Sequence, residues 1–478
     1  MNLGARRRWR QPGELSATYP WWVEEARTAG LLPPPCPPLT GSHDVDVAIV
    51  GGGYTGLWTA LALRERGPHL RIAVLEAESC GSGGSGRNGG FLHGYWEMFG
   101  KLSAILGEDR ALTVAAAGSQ AQREILRFCA DRNEDLWLES AGINLAATST
   151  AQLAAVSAAL RASSAIPEQF RPRERPPTEL AHGGGFRSAA YFPEGATVQP
   201  ARLLGALKSA AMQAGVEIYE ATPVANLRPG APNSLRTPLG MLRANDVVLA
   251  GNAWMSQYQP YARHLTNLGS YAIVTEPIPE VLDQLGLRRG FAAKDARMFL
   301  HWARTTHDDR IVVGTGAGPM SYGGRVGAVH TTHTASMVRC VNALRKFFPE
   351  ARDARVEHAW GGPIDMSADR IPFFGTLPES TIHYGLGYSG HGVNATWIGG
   401  QVLSSLVLGA DDRWTNSPFC DRKVPRLPPE PLRYLGGKLI HRSSLAVEDS
   451  LDRGERPSGI HRLVATLPRL FGLRIGLR

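Results

Sequence analysis

The sequence predicts an α/β protein built as two interleaved parts. One is a parallel sheet covered by helices, and the other is a β-rich α+β unit. Three observations carry the prediction. Residues 45–75 read as strand, helix, strand. The middle of the chain, from Tyr271 to Val313, alternates short apolar runs with turn residues. Far down the chain a further strand, Thr381–Leu386, leads through a Gly-rich turn into a long uncharged helix. At 478 residues, 43% hydrophobic and 20% charged, the chain has core enough for large domains, which excludes a disordered or fibrous protein.

Residues 1–43 form a leader, with a Pro-rich stretch from Pro33 to Pro38 that reads as extended. It opens with Arg6, Arg7, Arg8 and Arg10, but Trp21, Trp22, Glu24 and Glu25 follow in place of an apolar run, so no secretory signal is expected. Val45–Val50 is a short β-branched strand. Tyr54–Arg66 sets Leu57, Ala60, Leu61 and Leu63 on one helical side, and Arg71–Leu75 is the next strand. Helices are expected over Asp109–Asn133 and Ala151–Ser163, then loop over 164–185. Ala201–Ala214 is a helix stopped by Gly215, with strands at Val216–Tyr219 and Asp246–Ala250. Tyr271–Thr275, Arg297–Ala303 and Arg310–Val313 read as strands, Thr334–Phe348 as a helix, and Arg355–Ala359 as a strand. Gly392–Ala410 carries no formal charge, yet Asn394, Gln401, Ser404, Ser405 and its glycines favour a buried helix over a membrane span. Residues 421–478 form a basic appendage with one amphipathic stretch, Ile460–Leu473.

The net charge of +8 sits at the ends: +4 in residues 1–10, +6 in residues 421–478, and −2 in the body. That distribution, without interleaved aromatics, argues against a nucleic-acid partner and leaves weak contact with an anionic membrane surface open. The five cysteines contain no C-x-x-C pair, which fits a reducing cytoplasmic setting and excludes a zinc ribbon. No spacing suggests any other metal site or a hydrolytic triad.

Gly51-Gly52-Gly53-Tyr54-Thr55-Gly56 fits G-x-G-x-x-G between a strand and a helix. Gly51 permits the turn, Gly53 lets a pyrophosphate approach the backbone, and Gly56 lets helix and strand pack closely. The helix N-terminus at Tyr54 and Thr55 favours the anion. Glu76 ends the next strand, where its carboxylate can accept from both ribose hydroxyls. The order strand, fingerprint, helix, strand, acid defines a Rossmann-like dinucleotide-binding unit. Just beyond lies Ser85-Gly86-Arg87-Asn88-Gly89-Gly90, whose amides and Arg can meet phosphates and a flat ring.

These residues resemble the D-amino-acid-oxidase-like family of FAD-dependent oxidoreductases, in the branch of gamma-glutamylputrescine oxidases. Further matches are the helix and strand Pro200–Val216, Val224 beside the adenine, Val247–Gly251 with Ala250 near the FAD, and the late flavin loop Gly387-Tyr388-Ser389-Gly390-His391-Gly392. The resemblance implies an FAD domain from residues 44–100, 186–255 and 355–420, and a substrate domain from 101–185 and 256–354. It implies oxidation of an amine or amino acid: hydride passes to the flavin, the imine hydrolyses to a carbonyl, and dioxygen becomes hydrogen peroxide. A dehydrogenase serving a quinone or carrier protein is the alternative, and a nucleic-acid-interacting flavoprotein an alternative of another class. No cysteine stands in Trp360–Ser367, where relatives attach flavin, so the FAD is expected to be non-covalent.

In the late loop, Gly390 and Gly392 let backbone approach the ring, and the helix dipole would favour charge on the reduced flavin. His391 reads either as a structural hydrogen-bonding residue or as a positive charge for dioxygen reduction. Arg304, before the hairpin turn, reads either as a partner for a substrate carboxylate or as a surface residue. His301, Trp302 and Tyr388 are candidate lining residues. Lys294 reads either as a charge near the flavin or as a solvated loop lysine.

Overall fold

The strand Gly41–Val50 forms the axis of the first sheet. On one side it pairs in parallel with Ile72–Leu75, which pairs with Glu217–Tyr219. On the other it pairs with Gly240–Leu249, which pairs with Ile382–Leu386. The computed structural model describes residues 19–161, 165–420 and 422–470. Arg6, Arg7, Arg8, Arg10 and the end of the Ile460–Leu473 stretch lie outside the described residues. Phe373–Thr376 closes one edge antiparallel, and the hairpin of Asn226–Arg228 and Asn233–Arg236 pairs with the start of Gly240–Leu249.

Alternation along the central strand divides two cores. Val47 and Ile49 face a layer with Leu57, Leu63, Leu203, Leu207, Ile398 and Val402, from the helices Tyr54–Arg66, Pro200–Gln213 and Gly392–Val407. Ala48 faces the opposite layer with Leu242, Val247, Tyr261 and Phe373. Gly392–Val407 is buried along nearly its whole length against Tyr54–Arg66, which explains its lack of charge. Among the described residues no helix is long and apolar enough to cross a membrane.

The second sheet has eight strands in the order Val356–Ser367, Leu265–Thr275, Ile311–Thr315, His301–Thr305, Ala292–Asp295, Ile143–Ala147, Ser188–Phe192 and Arg173–Arg175. All neighbours are antiparallel except Ala292–Asp295 with Ile143–Ala147. Ser188–Phe192 and Val356–Ser367 therefore pair in this sheet, although the expected boundaries at 186 and 355 put both with the first. The chain re-enters the first unit at Pro200 and again at Phe373.

Three local expectations change. The leader contains a helix, Trp21–Thr28, that buries Trp22 against Trp360. The strand expected at Arg297 starts only at His301, and residues 296–300 form a loop. The C-terminal appendage contains two helices, Leu432–Asp452 and Gly459–Leu470.

The two buried helices meet at Gly400, where a Cβ would lie 2.8 Å from the carbonyl carbon of Trp58 and 2.9 Å from its oxygen. Both are backbone atoms that cannot rotate away. Gly400→Val should therefore destabilise the protein by about 1–3 kcal/mol, the usual cost of overpacking, measured by chemical denaturation. An unchanged midpoint would show that the helices can separate freely.

Candidate active site

The cavity of about 890 Å³ runs from the carboxyl ends of the first sheet's strands to the face of the second sheet. Ligands of open α/β sheets bind outside strand carboxyl ends, and this volume falls at the upper end of ligand sites.

The fingerprint forms its deep wall. Gly51 has φ +116°, and a Cβ there would lie 2.7 Å from the carbonyl oxygen of Ala250, so the turn requires glycine. At Gly56 a Cβ would meet the Gly51 carbonyl oxygen at 2.0 Å. Gly56 thus packs behind the turn and does not line the cavity. The Tyr54 amide donates to the Ser85 hydroxyl at 2.9 Å, which joins the two glycine loops at the helix N-terminus. Glu76 accepts from the amides of Gly52 (2.7 Å) and Glu78 (3.0 Å), one on each oxygen. Burial pushes its carboxyl above the ordinary range despite these donors, and each oxygen can accept a further hydrogen bond.

Gly51, Gly53, Tyr54, Thr55, Glu76, Ser85, Asn88, Gly89, Val224, Ala250, Gly390, His391 and Gly392 all line this one cavity. Arg87 and Gly90 do not. Arg87 instead donates to the carbonyls of Ser82 and Gly361, tying the glycine loop to the second sheet. Gly90 lets the loop approach Val198, whose carbonyl oxygen would lie 2.0 Å from a Cβ.

Arg304 is corrected most. It is only 1% exposed and is absent from the cavity lining. Its guanidinium donates to the carbonyls of Gly89, Gly90 and Val198 at 3.2, 3.3 and 2.7 Å, so it braces the loop from behind. It is neither a surface residue nor a partner for a substrate carboxylate. His301 also faces away, held by Asp295 at 2.9 Å. Trp302 and Tyr388 do line the cavity, and Tyr388 accepts from Thr55 at 2.9 Å.

Lys294 is buried rather than solvated. It lines the cavity and pairs with Glu97 at 2.5 Å. His391 packs edge-on against His93, ring centroids 5.4 Å apart. Burial, aided by His93 and Lys294, holds the His391 imidazole well below its ordinary pKa, so it carries no resident positive charge near neutrality. Burial likewise brings His93 to about 3.

Two lining residues escaped the sequence reading. Arg370, at φ +63°, lines the cavity. Its Nε is buried without a partner, and it makes no ion pair among the described residues. Desolvation lowers its pKa, opposed by the more distant Glu448. No periodicity marks such a residue, because a left-handed backbone step sets its direction. Asp365 accepts from the Gly387 amide at 2.5 Å, while its Oδ1 is buried and unpartnered. It anchors the late loop, where Gly387, Ser389 and Gly390 all have positive φ.

An adenine dinucleotide fits this lining. Glu76 can take the ribose hydroxyls, the joined glycine loops the pyrophosphate, and Val224 with Leu227 and Leu249 the adenine. The free Asp365 oxygen and the helix N-terminus at Gly392 suit the hydroxylated chain and polar edge of a flavin. No cysteine lines the cavity, consistent with non-covalent binding.

Fold and cradle together define a dinucleotide-dependent oxidoreductase whose cofactor cavity opens toward the largely antiparallel second sheet. The chain belongs to the FAD dependent oxidoreductase family, whose model matches residues 46–406. It is 29% identical over 416 residues to a gamma-glutamylputrescine oxidoreductase of Escherichia coli (strain K12), covering 82% of this chain and 91% of that protein. It is 26% identical to a probable oxidoreductase, OrdL, of Haemophilus influenzae, covering 84% and 90%. The crystal structure of glycine oxidase from Geobacillus kaustophilus shares the fold with a TM-score of 0.64 at 21% identity, over 80% of this chain and all but 1% of that one.

Two outcomes follow from the geometry. Glu76→Ala should weaken FAD binding by roughly 1.5–3 kcal/mol, read from cofactor retention on dilution. Burial pushes Asp365 up to about 7 from the ordinary 3.8. The unfolded chain therefore releases this proton first, and the apo-protein should lose stability as pH rises from about 4 to about 7. Asp365→Asn should flatten that part of the profile in denaturation measured against pH.

Proposed function

We propose that the enzyme oxidises the C–N bond of an amine or amino acid that bears a carboxylate, and passes the electrons to dioxygen to form hydrogen peroxide. Arg370 carries this reading. An unpaired guanidinium desolvated beside a cofactor cavity calls for an anion, and its planar fork matches a carboxylate in bidentate fashion. The left-handed backbone at Arg370 is the kind of strain that persists where surrounding structure enforces it.

Bound FAD would supply the two-electron chemistry. The chain's own residues supply position and charge. Trp302 and Phe91, edge to face at 5.5 Å, form an apolar wall that excludes water from the reacting carbon. His93 and His391 are too weakly basic here to keep the ammonium proton at neutral pH, so the amine must release that proton to solvent before it is oxidised in its neutral form. Arg370 supplies positive charge at the cavity that favours electron transfer to dioxygen, while Lys294 is largely offset by Glu97. The relatives are named for an amine derivative and an amino acid, which supports the substrate class. The five cysteines, none of them in a disulfide, support a reducing, cytoplasmic setting.

A second reading, electron delivery to a carrier at a membrane surface, draws on the C-terminal helices. They expose Leu432, Leu435, Leu439, Ile460 and Leu463 beside the exposed Lys438, Arg442 and Arg462. Peroxide formed per amine oxidised under air separates the two: near-equal amounts support the oxidase, and little peroxide with rapid reduction of an added quinone supports the carrier.

Arg370→Lys should lower kcat/KM for a carboxylate-bearing amine by about 2–3 kcal/mol and leave an amine without a carboxylate nearly unaffected. Equal losses on both would assign Arg370 to the flavin instead of the substrate.

A further inference from the structure

The C-terminal helix Leu432–Asp452 lies beyond the family match, which ends at residue 406. One stripe of it faces inward: His441, Leu445, Glu448 and Asp452, spaced 4, 3 and 4 apart, which is a single helical face. Leu445 packs into an apolar cluster with Leu268, Met298, Phe299, Ile364 and Met366, all five of which line the cavity. His441 meets Phe299 edge-on at 4.7 Å.

Below that contact the helix grips the loop that carries the wall. Glu448 accepts from the Met298 amide at 2.6 Å and lies 3.5 Å from the Arg297 guanidinium. Arg297 also reaches Asp449 at 2.5 Å and Asp452 at 3.0 Å. Asp452 accepts from Ser149 and Gln152, and Gln152 in turn accepts from the Ala296 amide at 3.2 Å. Arg339 and Lys346, from the helix Thr334–Phe347, close the outer side on Asp449 and Asp452. The Glu448 and Arg297 side chains are both about 5% exposed, so water competes weakly with these bonds. Residues 296–300 form a loop where the sheet pattern predicts strand, and the amide of Met298 is spent on Glu448 instead of on a ladder.

We propose that Glu448 is a positioning residue, and that the C-terminal helix sets the substrate-side wall of the cavity by holding Met298 and Phe299 in place. The proposal rests on the amine-oxidising reading for the identity of the ligand, but the clamp itself is a property of the chain. Glu448 touches neither cofactor nor substrate. It acts through the backbone of Met298, and its effect falls on how tightly substrate is held beside the flavin.

The test uses the full-length, FAD-loaded protein with Glu448→Ala and the milder Glu448→Gln. Anaerobic flavin bleaching by a carboxylate-bearing amine gives substrate Kd and limiting reduction rate separately. Hydrogen exchange of the peptide spanning 295–300 reports the clamp without any chemistry. Glu448→Ala should raise the substrate Kd about tenfold, change the limiting rate less than about twofold, and speed exchange at Met298 and Phe299, with FAD retention intact. Glu448→Gln keeps an acceptor for the Met298 amide and should recover most of the Kd. Unchanged Kd and exchange in Glu448→Ala would overturn the proposal. So would a parallel loss of Kd, rate and FAD retention that Gln does not rescue, since that would mark a merely structural residue. If no amine bleaches the wild type, the functional reading fails, and exchange at Met298 alone then decides the clamp.

Discussion

A methyl group at Gly51 would lie 2.7 Å from the Ala250 carbonyl oxygen, and one at Gly56 would lie 2.0 Å from the Gly51 carbonyl oxygen. These two approaches of bare backbone set the rest of the molecule. They bring the ends of three parallel strands and the start of one helix to a single point, and that point is the floor of the cavity. The second glycine loop can then reach the helix through Ser85 and Tyr54. Arg87 and Arg304 fasten that loop from behind, through carbonyl groups, to the strand Val356–Ser367 and to the segment before Pro200. The arginines first read as ligand contacts serve the backbone geometry that makes room for a ligand.

The charge left facing the cavity follows from what those arrangements use up. Arg297 and Arg422 are closed off by carboxylates, and Arg304 by carbonyls. Lys294 is balanced by Glu97. Arg370 lines the cavity and, among the described residues, has no carboxylate partner. A buried cation without a partner is costly unless an anion arrives, and that cost makes Arg370 informative about the ligand. Burial keeps the imidazoles of His93 and His391 from adding positive charge to that of Lys294 and Arg370.

The sequence carried the parts of this picture that depend on local spacing. Gly51, Gly53, Gly56 and Glu76 lie within one strand–helix–strand unit, so their roles could be read from order alone. The late loop at Gly387–Gly392 was legible from its glycines and from the uncharged helix after it. Arg370 and Asp365 were not legible, because they reach the cavity through positive backbone angles at Arg370 and Ser389 and through pairing across a sheet. Arg304 was misplaced for a related reason. Alternation says which residues share a sheet face, but the glycine loop that covers that face comes from more than 200 residues earlier. The inward stripe of Leu432–Asp452 was masked by composition: the appendage 421–478 is basic overall, while Glu448, Asp449 and Asp452 within this helix meet Arg297 and set its docking.

We propose that FAD in this cavity takes electrons from an amine held by Arg370. The direct measurement is the flavin spectrum of the purified protein, titrated without oxygen against paired amines that differ only in a carboxylate, then exposed to air. The account predicts bleaching at lower concentration by the carboxylate-bearing member, with peroxide released on aeration in proportion to the flavin reoxidised. A protein whose flavin no amine bleaches, or that bleaches equally well with both members of each pair, would contradict it.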